Sequence, residues 1–205
     1  PHLDLKGGVL SVDDSVLDKP YSHYMALVGH FWSGKHHRSV KGINLITLYY
    51  TDTKGHHLPV NYRLYDHSEG KTKNDYFLEM LAEVMSWGLL PASVTGDSWY
   101  SSTKNFKAIK NSGLGFMFAL KSNRSVSLEK NVFMAVGSVD IPEEGLTVWL
   151  REFGFIRLFR TMLKNEHRHY ALYLPDDAPL DQVSRAEFET IHDKHWQIEQ
   201  YHRAI

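Results

Sequence analysis

Three features of the sequence predict an α/β fold built on a mixed sheet. Strand-like runs at Ile43–Thr51 and Leu58–Tyr65 flank a turn at Asp52–Gly55, which reads as an antiparallel hairpin. Helix- and strand-patterned segments then alternate from residue 72 to residue 120. A β-patterned block follows, and a helix closes the chain. A hairpin followed by crossover units, in that order, is the arrangement of an RNase H-like (retroviral-integrase-like) fold. The expected architecture is a mixed sheet flanked by helices, with a β-rich insertion before the last helix.

Each element has its own signal. Residues 9–17 (VLSVDDSVL) read as a first strand. Residues 18–42 contain Gly29, Gly34 and Gly42 among aromatic and basic residues, and read as a long loop or irregular hairpin. In Thr72–Trp87, Tyr76, Phe77, Met80, Leu81, Val84 and Met85 recur at helical spacing, and Gly88 and Pro91 end the helix. Ala92–Gly96 is a short strand running into Asp97. Ser102–Asn111 is a helix with Phe106 and Ile109 inward and Lys104, Lys107 and Lys110 outward. Phe116–Leu120 is another buried strand.

From residue 126 to 175, short β-like runs (Val132–Val136, Thr147–Leu150, Phe155–Phe159, Tyr170–Leu174) are split by Gly137, Pro142, Gly145 and Gly154. A turn is expected at Pro175–Pro179. Ser184 with Glu187 forms a capping-box signature, and helix is expected from there to the end, with a break at Asp193. The division this implies is 1–125 for the first part of the core, 126–180 for the insertion and 181–205 for the closing helix. The chain begins at Pro1 and stops at Ile205 inside the last helix, so both ends read as those of a fragment.

Composition removes several classes of function. The 205 residues contain no Cys, which excludes disulfides, Cys-ligated zinc, iron–sulfur clusters and a thiol nucleophile. No apolar run approaches the ~18–20 residues of a membrane span. Lys plus Arg is 23 against 24 for Asp plus Glu, so no uniformly basic coat exists, although a local basic face is still open.

Three acidic positions stand out. Asp13 and Asp14 lie inside the first strand, where Asp is disfavoured. Alternation puts Val12, Asp14 and Val16 on one face and Ser11, Asp13 and Ser15 on the other. A solvated strand end is the plain alternative. Asp97 directly follows an apolar strand, where open α/β sheets place ligand sites; capping of the next turn is its alternative role. Glu199 shares a helical stripe with His192, His195 and His202, beside an apolar stripe of Ile198, Tyr201 and Ile205. Its alternative is an ordinary solvated face. In the expected core these three places converge. Packed carboxylates repel unless cations neutralise them. Hard oxygen ligands suit Mg²⁺ or Mn²⁺, and a pair of such ions ~3.5–4 Å apart suits in-line phosphoryl displacement.

These residues carry a resemblance. VDDS, GDSWYSS and HWQIEQYHRA, with LDKP, the GxxLPVNYRLY strand and FALKSNR, resemble the DDE transposases of bacterial insertion sequences, in the branch with a Tyr-x2-Arg-x3-Glu-x6-Lys signature. The resemblance runs from about Val9 to Ile205. It implies Asp14 (the Asp before Ser), Asp97 and Glu199 as catalytic residues and ligands of two Mg²⁺ or Mn²⁺ ions. The signature's Tyr falls on His192 and its Arg on His195; its Lys would fall one residue beyond Ile205. By the same resemblance, His195 and Arg203 would hold DNA phosphates and an insertion aromatic would stack on a base near the scissile bond. Trp149 is the candidate by location, with a place in the insertion's small core as its alternative. The implied activity is cleavage of phosphodiesters at transposon ends followed by strand transfer by the freed 3′-OH. The implied partner is double-stranded DNA (transposon ends and target), on which two copies synapse as a dimer. The implied setting is the bacterial cytoplasm at the nucleoid, with no membrane.

Local charge agrees with such a partner. Lys104, Lys107, Lys110, Lys121, Arg124 and Lys130 cluster in 98–130; Arg151, Arg157, Arg160, Lys164 and Arg168 cluster in 151–168; Lys35, Arg38 and Lys41 form a third group. Lys121 and Arg124, just after a buried strand, are favoured as DNA contacts, with ordinary solvated faces as the alternative. Two other functions stay open: an inactive or domesticated DNA-binding remnant, and a metallohydrolase gripping Zn²⁺ through His192, His195, Glu199 and His202.

Overall fold

A computed structural model describes residues 2–34, 36–129, 132–163, 165–175 and 179–205. Lys35, Lys130 and Lys164 of the basic groups, and most of the turn expected at 175–179, lie outside the described residues. The strands are β1 (Val9–Asp18), β2 (Gly29–Ser33), β3 (Arg38–Thr51), β4 (His57–Leu64), β5 (Ser93–Gly96), β6 (Gly115–Leu120), β7 (Ser125–Glu129), β8 (Val132–Ala135), β9 (Leu146–Leu150), β10 (Gly154–Leu163) and β11 (Glu166–Tyr173). The helices are α1 (Lys73–Ser86), α2 (Thr103–Asn111) and α3 (Arg185–Ala204).

The core sheet follows from the pairings. β3 is antiparallel to β1 and to β4, whereas β1, β5 and β6 run parallel. The order β4-β3-β1-β5-β6 is RNase H-like, as the element order predicts. The β-rich segment extends this sheet: β11 pairs antiparallel with β6, and β10, β9, β7 and β8 follow. The region 18–42 is more ordered than expected, because β2 pairs antiparallel with the first five residues of β3, residues 38–42. Helix α3 runs through Asp193 without the expected break; Asp193 is exposed there, and a polar surface residue leaves the helical hydrogen bonds intact.

Strand alternation sorts side chains into two layers. Leu10 and Val12 of β1, with Phe116 and Phe118 of β6, enter the core that α1 and α2 cover through Phe77, Met80, Phe106 and Ile109. Met117 of β6 points the other way, into a smaller core with Phe159, Tyr170, Leu172 and Phe188 of α3. Thus α1 and α2 lie on one face of the sheet and α3 on the other. Thr72 and Asp75 form a capping box on α1, and Ser184 and Glu187 form the predicted one on α3.

Candidate active site

Alternation also separates Asp13 from Asp14. Asp14 continues the Leu10–Val12 face, toward α1. Its Oδ2 accepts hydrogen bonds from Asn44 Nδ2 and Lys73 Nζ, both at 2.7 Å, and its Oδ1 accepts one from Tyr100 Oη at 3.0 Å. Burial first, then the surrounding carboxylates, hold the Tyr100 phenol well above its ordinary value, so it remains a donor. Asp13 continues the Ser11 face, toward α3. Its Oδ2 lies 3.2 Å from His202 Nδ1, and its Oδ1 accepts the Asp14 N–H at 2.8 Å. The other ring nitrogen of His202 lies 3.2 Å from Thr47 Oγ1, which is opposite Asp13 in the register.

Asp97 stands one residue past the end of β5. Gly96 sets the approach: a Cβ there would come within 2.5 Å of Phe118 Cε1 and 2.9 Å of Val12 Cγ1. Asp97 does not cap α2, a role Ser102 fills. Its Oδ1 accepts the Trp99 N–H at 2.8 Å, closing a tight turn. The protein packed around its carboxyl, then the charges of Asp13 and Asp14, push it up to about 7. Asp97 as a residue is exposed, and water screens part of that push. Glu199 is half-buried on α3; burial, then Asp13, raises its carboxyl, while Arg168, Arg203 and His202 oppose the rise. Acidic groups of the first strand, Asp13 and Asp14, thus both act on Asp97 at the end of β5, and one of them, Asp13, also acts on Glu199 of α3.

The other expected site residues are scattered. His195 does not reach the open face: it is 8% exposed, and its Nδ1 lies 2.9 Å from Thr95 Oγ1, which in turn bonds Ser11 at 2.8 Å. Helical phase turns it under α3 and onto β5. Arg203 is exposed, 3.7 Å from Glu199 and with its guanidinium 4.9 Å from the Trp196 ring centre. Trp149 is exposed on β9 and meets Phe155 of β10 edge-on at 5.1 Å. Lys121 is exposed and Arg124 half-buried; Arg124 Nη2 donates to Thr103 Oγ1 at 2.8 Å. Arg157 of the second basic group is buried, donating to the Glu144 carbonyl and Thr147.

The histidine stripe has no common target. His192 lies 3.2 Å from Tyr170 Oη, His195 turns to Thr95, and His202 to Asp13 and Thr47. A zinc grip by that stripe therefore finds no support. Among the described residues, no set of three or more His, Asp or Glu stands close enough to hold a metal ion with the side chains as they lie. The donor chemistry nonetheless suits a hard divalent cation. Asp13 and Asp14 push the Asp97 carboxyl up, Asp13 pushes Glu199 up, and Lys73 supplies Asp14 with the positive charge such an ion would bring. Asn44 Oδ1, buried beside Asp14, has no hydrogen-bond partner among the described residues.

Sequence reasoning missed Lys73, Tyr100, Asn44 and His202 as neighbours of the acidic pair. Tyr100 sits in the Asp-Ser-Trp-Tyr run, which was a usable signal. Lys73 comes from 59 residues away and has no local one.

The sheet order defines an RNase H-like domain. A sequence profile described as DDE superfamily endonuclease matches residues 1–136, and the chain belongs to that family. The matched span contains Asp14 and Asp97 but not Glu199. Among solved structures, the chain is similar to the Argonaute of Marinitoga piezophila, solved by X-ray crystallography with a 5′-OH guide RNA, at 9% identity and a TM-score of 0.33 over 89% of this chain. The chain spans 25% of that Argonaute's length. No curated protein matches. Among the described residues, no helix is long and apolar enough to cross a membrane.

Proposed function

We propose that this chain is the catalytic domain of a transposase that cuts DNA at transposon ends and joins the freed 3′-OH to target DNA. The observation that supports this reading is that Asp13 and Asp14 of the first strand both act on Asp97, and Asp13 also on Glu199, in a chain that belongs to the DDE endonucleases. Asp14, Asp97 and Glu199 would hold two Mg²⁺ or Mn²⁺ ions, with Asn44 Oδ1 beside them. Bound there, the ions supply an activated water and charge neutralisation at the scissile phosphate.

The chain's own residues do the rest. Tyr100 and Asn44 fix the orientation of the Asp14 carboxylate through hydrogen bonds at 3.0 and 2.7 Å. Lys73 Nζ, 2.7 Å from Asp14 Oδ2, neutralises that carboxylate and would compete for it with a divalent ion bound there. Lys121, Arg124 and Arg203 hold the phosphate backbone without reading sequence. Residues 1–125 and 181–205 form the catalytic core, with 126–180 inserted, and two copies synapse a pair of DNA ends.

The test is nicking of a duplex carrying the element's ends, in Mg²⁺ or Mn²⁺, by a chain extended past Ile205. Metal-dependent nicking lost on Asp97→Ala supports the proposal. Binding without nicking, unchanged by Asp97→Ala, would instead make the chain a DNA-binding remnant.

A further inference from the structure

Beside Asp97 lies a cavity of about 340 Å³ whose lining includes Trp99, Ser101, Ser102, Lys121 and Arg124. We propose that it is a nucleotide subsite, in which a base unpaired from the duplex stacks on Trp99 and its phosphate lies between Lys121 and Arg124. The assignment rests on the nucleic-acid reading above and adds to it a stacking residue that the sequence did not single out.

Four observations carry it. Trp99, part of the cavity lining, is 56% exposed. Its backbone is nevertheless pinned, because its N–H donates to Asp97 Oδ1 at 2.8 Å. That bond holds the Trp99 backbone next to the proposed reaction centre. Two ammonium groups flank it, Lys73 Nζ 5.4 Å and Lys121 Nζ 5.9 Å from the ring centre. Lys73 at the same time touches Asp14 at 2.7 Å, which ties the indole to the carboxylates on a second side.

The cations facing the cavity are also free to take an anion. Among the described residues neither Lys121 nor Arg124 forms an ion pair, and Arg124 donates only to the neutral hydroxyl of Thr103. Glu152 is close enough to be felt by Arg124 without pairing with it. An exposed aromatic with unpaired cations is the combination that holds single-stranded nucleic acid: the ring takes any base by its π-face and the cations take the phosphate. The volume falls within the range of small-ligand sites, about 300–1,000 Å³. Trp149 lies on β9 in a perpendicular pair with the exposed Phe155, and is not among the residues that line this cavity.

The experiment measures binding of fluorescein-labelled DNA by the whole chain in Ca²⁺. It uses a fully paired duplex and the same duplex with three unpaired nucleotides at one end. Trp99→Leu, Trp99→Phe and Lys121→Met are compared with the unaltered protein after matched thermal melting. The expected result is that Trp99→Leu weakens the frayed DNA on the order of tenfold and the paired duplex far less, while Trp99→Phe retains most of the affinity. Lys121→Met is expected to lower the salt dependence of binding by about one phosphate contact. Equal affinity of Trp99→Leu and the unaltered protein for frayed DNA would overturn the subsite. So would equal losses for Trp99→Leu and Trp99→Phe, which would mark a packing role. Failure of the unaltered protein to bind either DNA would overturn the nucleic-acid reading itself. Should Trp99→Leu not fold, an unchanged salt slope in Lys121→Met would still count against the subsite.

Discussion

Lys73 Nζ stands 2.7 Å from Asp14 Oδ2, with both side chains about five-sixths buried (16% and 15% exposed). A lysine at the start of α1 thus occupies the carboxylate that family resemblance assigns to metal. Removing one partner of a largely buried ion pair leaves the other in need of a counter-charge.

Lys73→Met is therefore expected to tighten Mn²⁺ binding severalfold, because the ion no longer competes with an ammonium. Titration of Mn²⁺ by electron paramagnetic resonance measures this directly. Equal or weaker binding in the variant would show that Lys73 supports the site and does not compete for it.

Asp13 and Asp14 are adjacent in sequence but serve opposite faces of the sheet. The charge of Asp13 contributes to the upward push at both Asp97 and Glu199. Asp13→Asn is expected to lower the titration points of both carboxyls, followed by carbon-13 NMR of the side-chain carboxyls. It is also expected to spare cleavage far more than Asp14→Asn does. Unmoved titrations, or equal loss of cleavage, would contradict this division.

His195 supplies a pH dependence of stability. Burial holds its imidazole down to about 4, with His192 adding to that and Asp13 opposing it, against 6.5 in an unfolded chain. Between those values the unfolded chain binds a proton that the folded chain refuses. The stability linked to this group is complete above about 6.5 and is lost as pH falls toward 4, a change on the order of 3 kcal/mol. Urea unfolding at pH 7 and pH 4.5 should show a smaller loss for His195→Gln than for the unaltered protein. Parallel losses would place the dependence elsewhere. Asp97 works in the other direction: with its carboxyl raised to about 7, its contribution declines as pH rises from about 4 to 7.

Gly96 sets the close passage of β5 between Val12 and Phe118. Gly96→Ala is expected to destabilise the fold by about 1–3 kcal/mol through overpacking, read by denaturant unfolding. A variant as stable as the parent would mean that the strands can part without penalty.

The fold was legible where local patterns match the final packing. Tyr76, Phe77, Met80, Leu81 and Val84 repeat at helical spacing and are the residues α1 buries. The Ser184–Glu187 box starts α3 where expected. β2 was not legible: its five residues include exposed Trp32 and draw their order from pairing with residues 38–42 of β3. In the candidate site, the acidic positions stood out because carboxylates are out of place in a strand or at a strand end. Their partners did not, since Lys73 and Tyr100 reach Asp14 only across the folded sheet. His195 shares a helical stripe with Glu199 in the sequence, but its burial against Thr95 depends on how α3 packs on β5, which the spacing alone does not show.

The most direct test is calorimetric titration of Mn²⁺ into the unaltered chain and into Asp14→Asn, Asp97→Asn and Glu199→Gln. The account predicts two bound ions for the unaltered protein and loss of at least one for each variant, with thermal melting little changed. Binding that is the same in all four proteins would contradict a metal site built from these three carboxylates.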